Sequence, residues 1–444
     1  MRSITSFVCQ ECGYEAAQWL GKCPECGVWN SLKEFKVHPF DKLRTKLKVE
    51  SKTEDIKPKT LAEIRFDSKD RLSTGFSEMD GVLGGGIVRG SVILLAGDPG
   101  IGKSTLLLQV GLTLASANSE VLYVSGEESI EQIKLRALRI TESKKTKDQF
   151  KLLSTNDTDG IAEVVDKTKP SFLIIDSIQT MESNAAGGMA GSIAQIRYAT
   201  SLFTRVAKTL SVPVILVGHV TKEGMVAGPM VLSHMVDTVL FLEGEKFTKL
   251  RILRSLKNRF GPVDEVGIFT MGEGGIKETN TPEQFFLTKN LPKNLAGSII
   301  SVAMEGSRAL LVEIQGLVVS SNIPIPRRVS SGIDYKRLEL LLAALQKHCN
   351  LPFGGMDVFV NVAGGLRLSD PAVDLGICLA IFSSFKNLSL SDTVAISEVG
   401  LLGELRGVTS IDKRIKEAKK LGFKNIISYD TYKTLNEVIR SLGK

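Results

Sequence analysis

No run of 18 apolar residues occurs anywhere in this chain of 444 residues, which argues against a membrane-spanning helix. The opening stretch Met1 to Gln10 has no long apolar core, so no secretory signal is expected and the chain reads as cytoplasmic. Extremes of composition are missing as well: 43% of the residues are hydrophobic and 24% charged, the balance of an ordinary globular protein. A net charge of +7 over this length only leans toward an anionic partner and does not establish nucleic acid. The length allows two or three domains, each large enough for its own core.

Cysteine is scarce, and its placement is informative. Four of the six cysteines form one short module, Cys9-x2-Cys12-x10-Cys23-x2-Cys26, and Gly13 and Gly27 follow the two pairs. Two such knuckles bring four thiolates to a tetrahedral corner, which is the pattern of a structural Zn²⁺ site over residues 1–35. A cytosolic chain disfavours the disulfide and redox alternatives. A ribbon this small cannot bury enough surface to fold alone, so metal binding is expected to supply its stability. Trp19 and Trp29 flank the second knuckle, with packing over the metal site or stacking on a base as the two available roles. Cys349 and Cys378 sit in apolar surroundings and read as core residues.

Residues 36–59 hold eight Lys/Arg against four Asp/Glu and few apolar residues, the composition of a solvated basic linker. From 60 to 275 the pattern changes to alternating strands and helices. Expected strands are 91–96, 121–124, 151–153, 172–175, 214–217 and 238–242. Most are near-continuous apolar runs, which implies an α/β fold with a parallel sheet covered on both faces. Ligand chemistry then belongs at the carboxyl ends of the strands.

The first of those ends carries Gly97-Asp98-Pro99-Gly100-Ile101-Gly102-Lys103-Ser104, matching G-x-x-x-x-G-K-[ST] at every fixed position. Such a loop wraps backbone N–H groups around phosphate oxygens; Lys103 reaches the β/γ-phosphates of ATP, Ser104 is placed to ligate Mg²⁺, and Thr105, next in the helix start, is counted with residues 97–104 as nucleotide-binding. Asp176 closes an apolar strand, as the second holder of the Mg²⁺ shell would. Glu127 and Glu128 follow another strand, and one of them is expected to orient or deprotonate the attacking water. His219 ends the 214–217 strand, either as a γ-phosphate sensor or as a satisfied loop residue.

Ser73-Thr-Gly-Phe-Ser-Glu-Met-Asp80, Gly84-Gly-Gly-Ile-Val-Arg-Gly90, the phosphate loop and Tyr123-Val-Ser-Gly-Glu-Glu128 resemble the RecA-like core of recombinases, ring helicases and clock ATPases. With the four-cysteine ribbon before that core and Lys257-Asn258-Arg259-Phe260-Gly261 after it, the chain resembles the RadA (Sms) family of bacterial DNA-repair proteins. The resemblance implies a DNA-stimulated ATPase working as a hexameric ring on single-stranded and branched DNA. It implies branch migration of strand-exchange products made by a recombinase of the RecA family. Lys257 and Arg259 suit a loop that crosses a subunit interface to a neighbour's γ-phosphate, with a basic surface turn as the alternative.

Two glycine-rich stretches, 184–192 and 221–229 with Lys222, are candidate DNA loops. Neither contains an aromatic residue, which favours backbone tracking over base stacking. The last segment, 285–444, carries no nucleotide motif. Gly364 to Gly376 and the helix after Asp412 resemble the Lon proteolytic domain, whose serine and lysine slots fall here on Asp374 and on Asp412, beside Lys413. An aspartate cannot replace the hydroxyl nucleophile, so an inert scaffold is expected, with Ser369 as a remote substitute. The helical pattern from Ile411 places Ile411, Ile415, Ala418 and Leu421 on an apolar stripe. Lys413, Arg414, Lys416, Lys420 and Lys424 surround it, as a solvated face or a DNA-binding ridge that Arg327 and Arg328 would extend. An ATP-dependent peptidase of Lon type, or a regulatory ATPase docking a partner through its ribbon, are the alternative functions.

Overall fold

The computed structural model describes residues 4–9, 14–25, 27–37, 60, 63, 71–140, 148–219, 232–244, 249–279, 286–288, 295–390 and 392–443. The chain divides into two compact units, Met1–Glu278 and Thr279–Lys444. At the N-terminus β1 (Ile4–Cys9), β2 (Glu15–Ala16) and β3 (Leu32–Val37) form an antiparallel sheet in the order β2-β1-β3. Its small core holds Cys9, Cys23 and Leu32, with Phe7, Tyr14, Ala16 and Leu20 against them.

The main sheet of the first unit is built after helix α1 (Ser77–Val82). In chain order it takes β4 (Val92–Gly97), α2 (Lys103–Ser116), β5 (Val121–Ser125), α3 (Ile130–Ile140), β6 (Phe150–Ser154), α4 (Thr158–Thr168), β7 (Phe172–Asp176), α5 (Ile193–Leu210), β8 (Val214–His219) and β9 (Thr238–Glu243). Then follow β10 (Leu250–Asn258), β11 (Val266–Gly272) and β12 (Gly275–Glu278). The strand order is β12-β11-β10-β9-β4-β8-β7-β5-β6. From β9 to β6 every neighbour is parallel. Residues of β4 alternate between two cores: Ile93 and Leu95 join α1, α2 and α3 on one face, while Val92 and Leu94 join α4 and α5 on the other. A strand covered on both faces needs an unbroken apolar run, as β4, β5 and β7 have.

The all-parallel expectation needs correction at one edge. Strands β10, β11 and β12 join antiparallel beyond β9. Lys257 and Asn258 end β10, paired with Val239 and Thr238, so the Lys257–Gly261 string starts in a strand and only its second half is a loop.

The second unit carries a six-stranded mixed sheet. It comprises β13 (Ser298–Glu305), β14 (Arg308–Ser320), β15 (Arg328–Ser331), β16 (Met356–Val362), β17 (Thr393–Ile396) and, after the two-residue ladder β18 (Glu398–Val399) and β19 (Leu405–Arg406), β20 (Asn425–Ser428). Helices are α6 (Tyr335–Cys349), the deeply buried α7 (Asp374–Lys386), α8 (Ile411–Lys420) and α9 (Leu435–Leu442). Cys378 is core as expected, and Cys349 is half-buried with burial pushing its thiol up to about 11.

Helix α8 differs from its sequence reading at two positions. Arg414 is buried, not part of the basic face, and Leu421 is exposed rather than core. The Arg414 guanidinium donates to the carbonyls of Val302 and Thr409 at 2.6 and 3.0 Å and to Asp370 at 2.6 Å. Asp370 also accepts from the backbone N–H of Met304 and Ala372. Arg327, 62% exposed, pairs with buried Asp357 at 2.8 Å, and half-buried Arg328 donates to the carbonyls of Phe353 and Met356. Of the basic face, Lys413, Lys416, Lys420 and Lys424 remain exposed.

Removing one partner of a buried ion pair leaves an uncompensated charge, at a cost of about 3–5 kcal/mol. Asp370→Ala is therefore expected to destabilise the second unit by about that amount in urea unfolding of the whole chain. A loss under about 1 kcal/mol would show that Arg414 does not need its carboxylate.

Candidate nucleotide site

The carboxyl end of β4 turns into the phosphate loop at Gly97, whose φ is +151°. A Cβ there would overlap the Leu242 carbonyl oxygen of the adjacent strand, so only glycine lets the loop leave the sheet at this point. Gly102, at φ +115°, is closed in by Met271 and Ile276 of β11 and β12. The antiparallel edge thus walls one side of the loop. Arg251 of β10 braces it further, donating from Nε to the Ile101 carbonyl at 2.9 Å. Asp98, Pro99 and Gly100 stay exposed, and Ser104 and Thr105, in the first turn of α2, are half-buried. Arg251 was not singled out in the sequence because nothing local ties it to a loop 150 residues away.

Lys103 is 3% exposed, and its ammonium donates to the carbonyls of Gly97 and Asp98 at 2.7 and 2.9 Å. Burial pushes its pKa down to about 8, against the upward pull of Asp176, Asp98 and Glu127. Asp176, at the end of β7, is buried and accepts from the Tyr123 hydroxyl at 2.5 Å. The loop, the charged lysine and the carboxylate beyond it supply the donor set that a Mg²⁺-bound triphosphate requires: backbone N–H groups and an ammonium for phosphate oxygens, and a carboxylate for the ion.

The two glutamates part ways. Glu128 is turned to Arg136 of α3, 2.6 Å away. Glu127 points to the site: its Oε1 accepts from the Ser177 hydroxyl at 2.6 Å and lies 3.5 Å from His219 Nε2. His219 has its pKa lowered by burial and then by the Lys103 charge, and its Nδ1 is buried without a partner. The Oε1 of Gln179 is also buried and unpartnered, while its amide donates to the His219 carbonyl at 3.2 Å.

Lys257 and Arg259 lie elsewhere. Lys257 donates to the carbonyls of Ser233 and Val236 at 2.6 and 2.8 Å, and burial lowers its pKa. Arg259, 59% exposed, pairs with Asp237 at 3.3 Å. Asp237 also receives Lys208 at 2.6 Å and the Val92 N–H at 3.0 Å. Arg71 donates to the Phe260 carbonyl at 2.8 Å. Since Asn258 and Ile93 both pair with Thr238, the string sits at the amino ends of the parallel strands. The phosphate loop starts four residues further along β4, roughly 13 Å at strand rise, and Arg259 runs away from it.

Loop 184–192 is held from inside by Gln195, whose amide donates to the carbonyls of Ser183, Ala186 and Gly188 and accepts from the Ser183 N–H. Met189 protrudes from it, 85% exposed. The other candidate DNA loop, 221–229 with Lys222, lies outside the described residues, as do Cys12 and Cys26. Cys9 and Cys23 are fully buried, and a hydrogen bond from Gly27 N–H to the Cys23 carbonyl closes the second knuckle. Buried sulfur in a core this small suits a metal-thiolate centre. Trp19 and Trp29 are exposed, which weakens the packing role for them.

A family model described as an AAA domain matches residues 58–225, and one described as a rubredoxin metal binding domain matches residues 7–34. The DNA repair protein RadA of Halalkalibacterium halodurans is 45% identical over 430 residues, covering 96% of this chain and 92% of that protein. Those of Bacillus subtilis and Streptococcus pyogenes serotype M1 are 44% and 46% identical, over 96% and 95% of this chain and 92% and 91% of theirs. Among solved structures, the RadB recombinase aligns at 24% identity over 47% of this chain and 100% of its own, with a TM-score of 0.38. A KaiC-like protein of Pyrococcus horikoshii aligns at 20% identity over 47% and 98%, with a TM-score of 0.39.

Bound phosphates raise the pKa of the Lys103 ammonium above its free value of about 8. Below pH 8 the lysine is already charged and binding needs no proton. Above it, binding takes one up, so ATP affinity should fall with rising pH, approaching tenfold per unit. Titration of ATP binding between pH 7 and 9.5 checks this, and a flat profile would contradict it.

Proposed function

The chain belongs to the RadA family of DNA repair proteins, and on that premise we propose a DNA-stimulated ATPase motor that acts as a ring on single-stranded or branched DNA, moving the branch points a RecA-type recombinase leaves behind. Family membership supports DNA repair and ATP hydrolysis. The observation that carries the ring is the separation of phosphate loop and Lys257–Arg259 string along one sheet; the DNA substrate rests on family membership. A chain whose Arg259 sits at the amino ends of the strands has no route to its own phosphates, but a neighbour in a ring can receive it.

In this reading Lys103 leaves the Gly97 and Asp98 carbonyls for the β/γ-phosphates. Ser104 and Asp176 hold the magnesium ion, which neutralises charge on the phosphates when bound. Glu127, not Glu128, takes the water's proton, because Glu128 is committed to Arg136. Arg259 exchanges Asp237 for the neighbour's transferring phosphoryl group, and Lys257 its two carbonyls. Cys9, Cys12, Cys23 and Cys26 hold zinc.

The second unit serves as an inert scaffold for assembly and DNA contact. At the serine slot, Asp374 is buried and ion-paired with Arg337, which excludes it as a nucleophile. At the lysine slot, Asp412 is exposed in the first turn of α8. This favours the motor over the Lon-type peptidase.

ATP turnover measured with and without single-stranded DNA tests the function: stimulation is expected, its loss in Lys103→Ala is expected, and turnover indifferent to DNA would refute the motor.

The trans arginine has its own test. Arg259→Ala should bind ATP nearly normally and lose about 10³-fold in turnover. Mixing it with Lys103→Ala subunits, which keep Arg259, should recover activity that neither variant shows. No recovery in rings shown to be mixed would mean that Arg259 acts within its own chain or not at all.

A further inference from the structure

A general base must hold one orientation, and a glutamate with three side-chain torsions does not do so unaided. Glu127 follows β5 on the turn Gly126-Glu127-Glu128. Its Oε1 is engaged from two sides, by the Ser177 hydroxyl at 2.6 Å and by His219 Nε2 at 3.5 Å. These residues sit at the ends of β7 and β8, which are neighbours in the sheet. Two strand ends thus converge on one oxygen. The other oxygen of Glu127 has no partner among the described residues, which leaves it for a water.

The Ser177 hydroxyl is well placed to act as the fixed point. Ser177 is fully buried. Its carbonyl is gripped by the Thr180 hydroxyl at 2.8 Å, which closes the 3-10 turn Ile178–Thr180. The two backbone segments are also tied to each other, since Gly126 N–H donates to the Asp176 carbonyl at 3.0 Å. Donor and acceptor are therefore carried on a common rigid frame, and a hydrogen bond to a carboxylate is among the stronger kinds. The carboxylate of Glu128, one residue on, turns to Arg136 of α3 instead.

We propose that Ser177 is the positioning residue for Glu127: its hydroxyl fixes one carboxylate oxygen so that the other faces the water that attacks ATP. This rests on Glu127 being the base. Misplacing a base by about 1 Å costs as much as 10²-fold in rate. Ser177→Ala in the full chain with single-stranded DNA should therefore lower kcat by about 10- to 100-fold and leave ATP affinity and the Mg²⁺ dependence unchanged. Ser177→Cys, which keeps a side chain of the same connectivity but a weaker donor, should move kcat in the same direction.

A double-mutant cycle separates positioning from general structural damage. Glu127→Asp withdraws the carboxylate from the serine, so adding Ser177→Ala to it should cause no further loss. The proposal is overturned if Ser177→Ala turns over within twofold of the parent, if the loss is the same in both backgrounds, or if nucleotide affinity falls instead of kcat. Glu127→Gln reports on the premise by itself: parental turnover there would remove Glu127 as the base, whatever Ser177 does.

Discussion

Parallel pairing of six strands is the constraint on which the rest of the first unit depends. Because β9, β4, β8, β7, β5 and β6 all run the same way, their carboxyl ends collect on one edge. The phosphate loop, Glu127, Asp176, Ser177 and His219 are all residues at or just beyond those ends. None needs a special fold of its own. Each is where it is because an apolar strand stopped there and its backbone turned out of the sheet.

The opposite edge is organised by one carboxylate. Asp237 is 4% exposed and meets the first N–H of β4, the ammonium of Lys208 at the end of α5 and the guanidinium of Arg259. Burial would raise its pKa, but these donors outweigh burial and hold it below the usual carboxylate range. The arginine argued to act on a neighbour is thus tethered to the strand that carries its own phosphate loop. The phosphate loop and the Asp237 cluster share β4 as a common element.

Much of this was legible in the sequence for a physical reason. Strands covered on both faces must be apolar throughout, and 91–96, 121–124, 172–175 and 214–217 read as such and lie within a residue or two of the observed strands. The phosphate loop is legible because its glycines and lysine are local in sequence. What escaped depends on distant partners. Strand β10 carries Arg251, Arg254 and Lys257 among its apolar residues, so it does not read as a buried run. The burial of Arg414 follows from Asp370, 44 residues earlier. The different directions of Glu127 and Glu128 are set by Ser177 and Arg136, which no spacing rule connects to them.

Gln195 has a consequence for the loop it holds. Its amide donates to the carbonyls of Ser183, just before the loop 184–192, and of Ala186 and Gly188 within it, so the loop's shape is set by an internal side chain. A glycine-rich segment left loose would lose about 1–2 kcal/mol of backbone entropy per residue on being fixed by a ligand. Here that loss falls on folding instead. With the backbone tied from within, what is left free to move at the loop's surface is side chain, above all the thioether of Met189, which is 85% exposed.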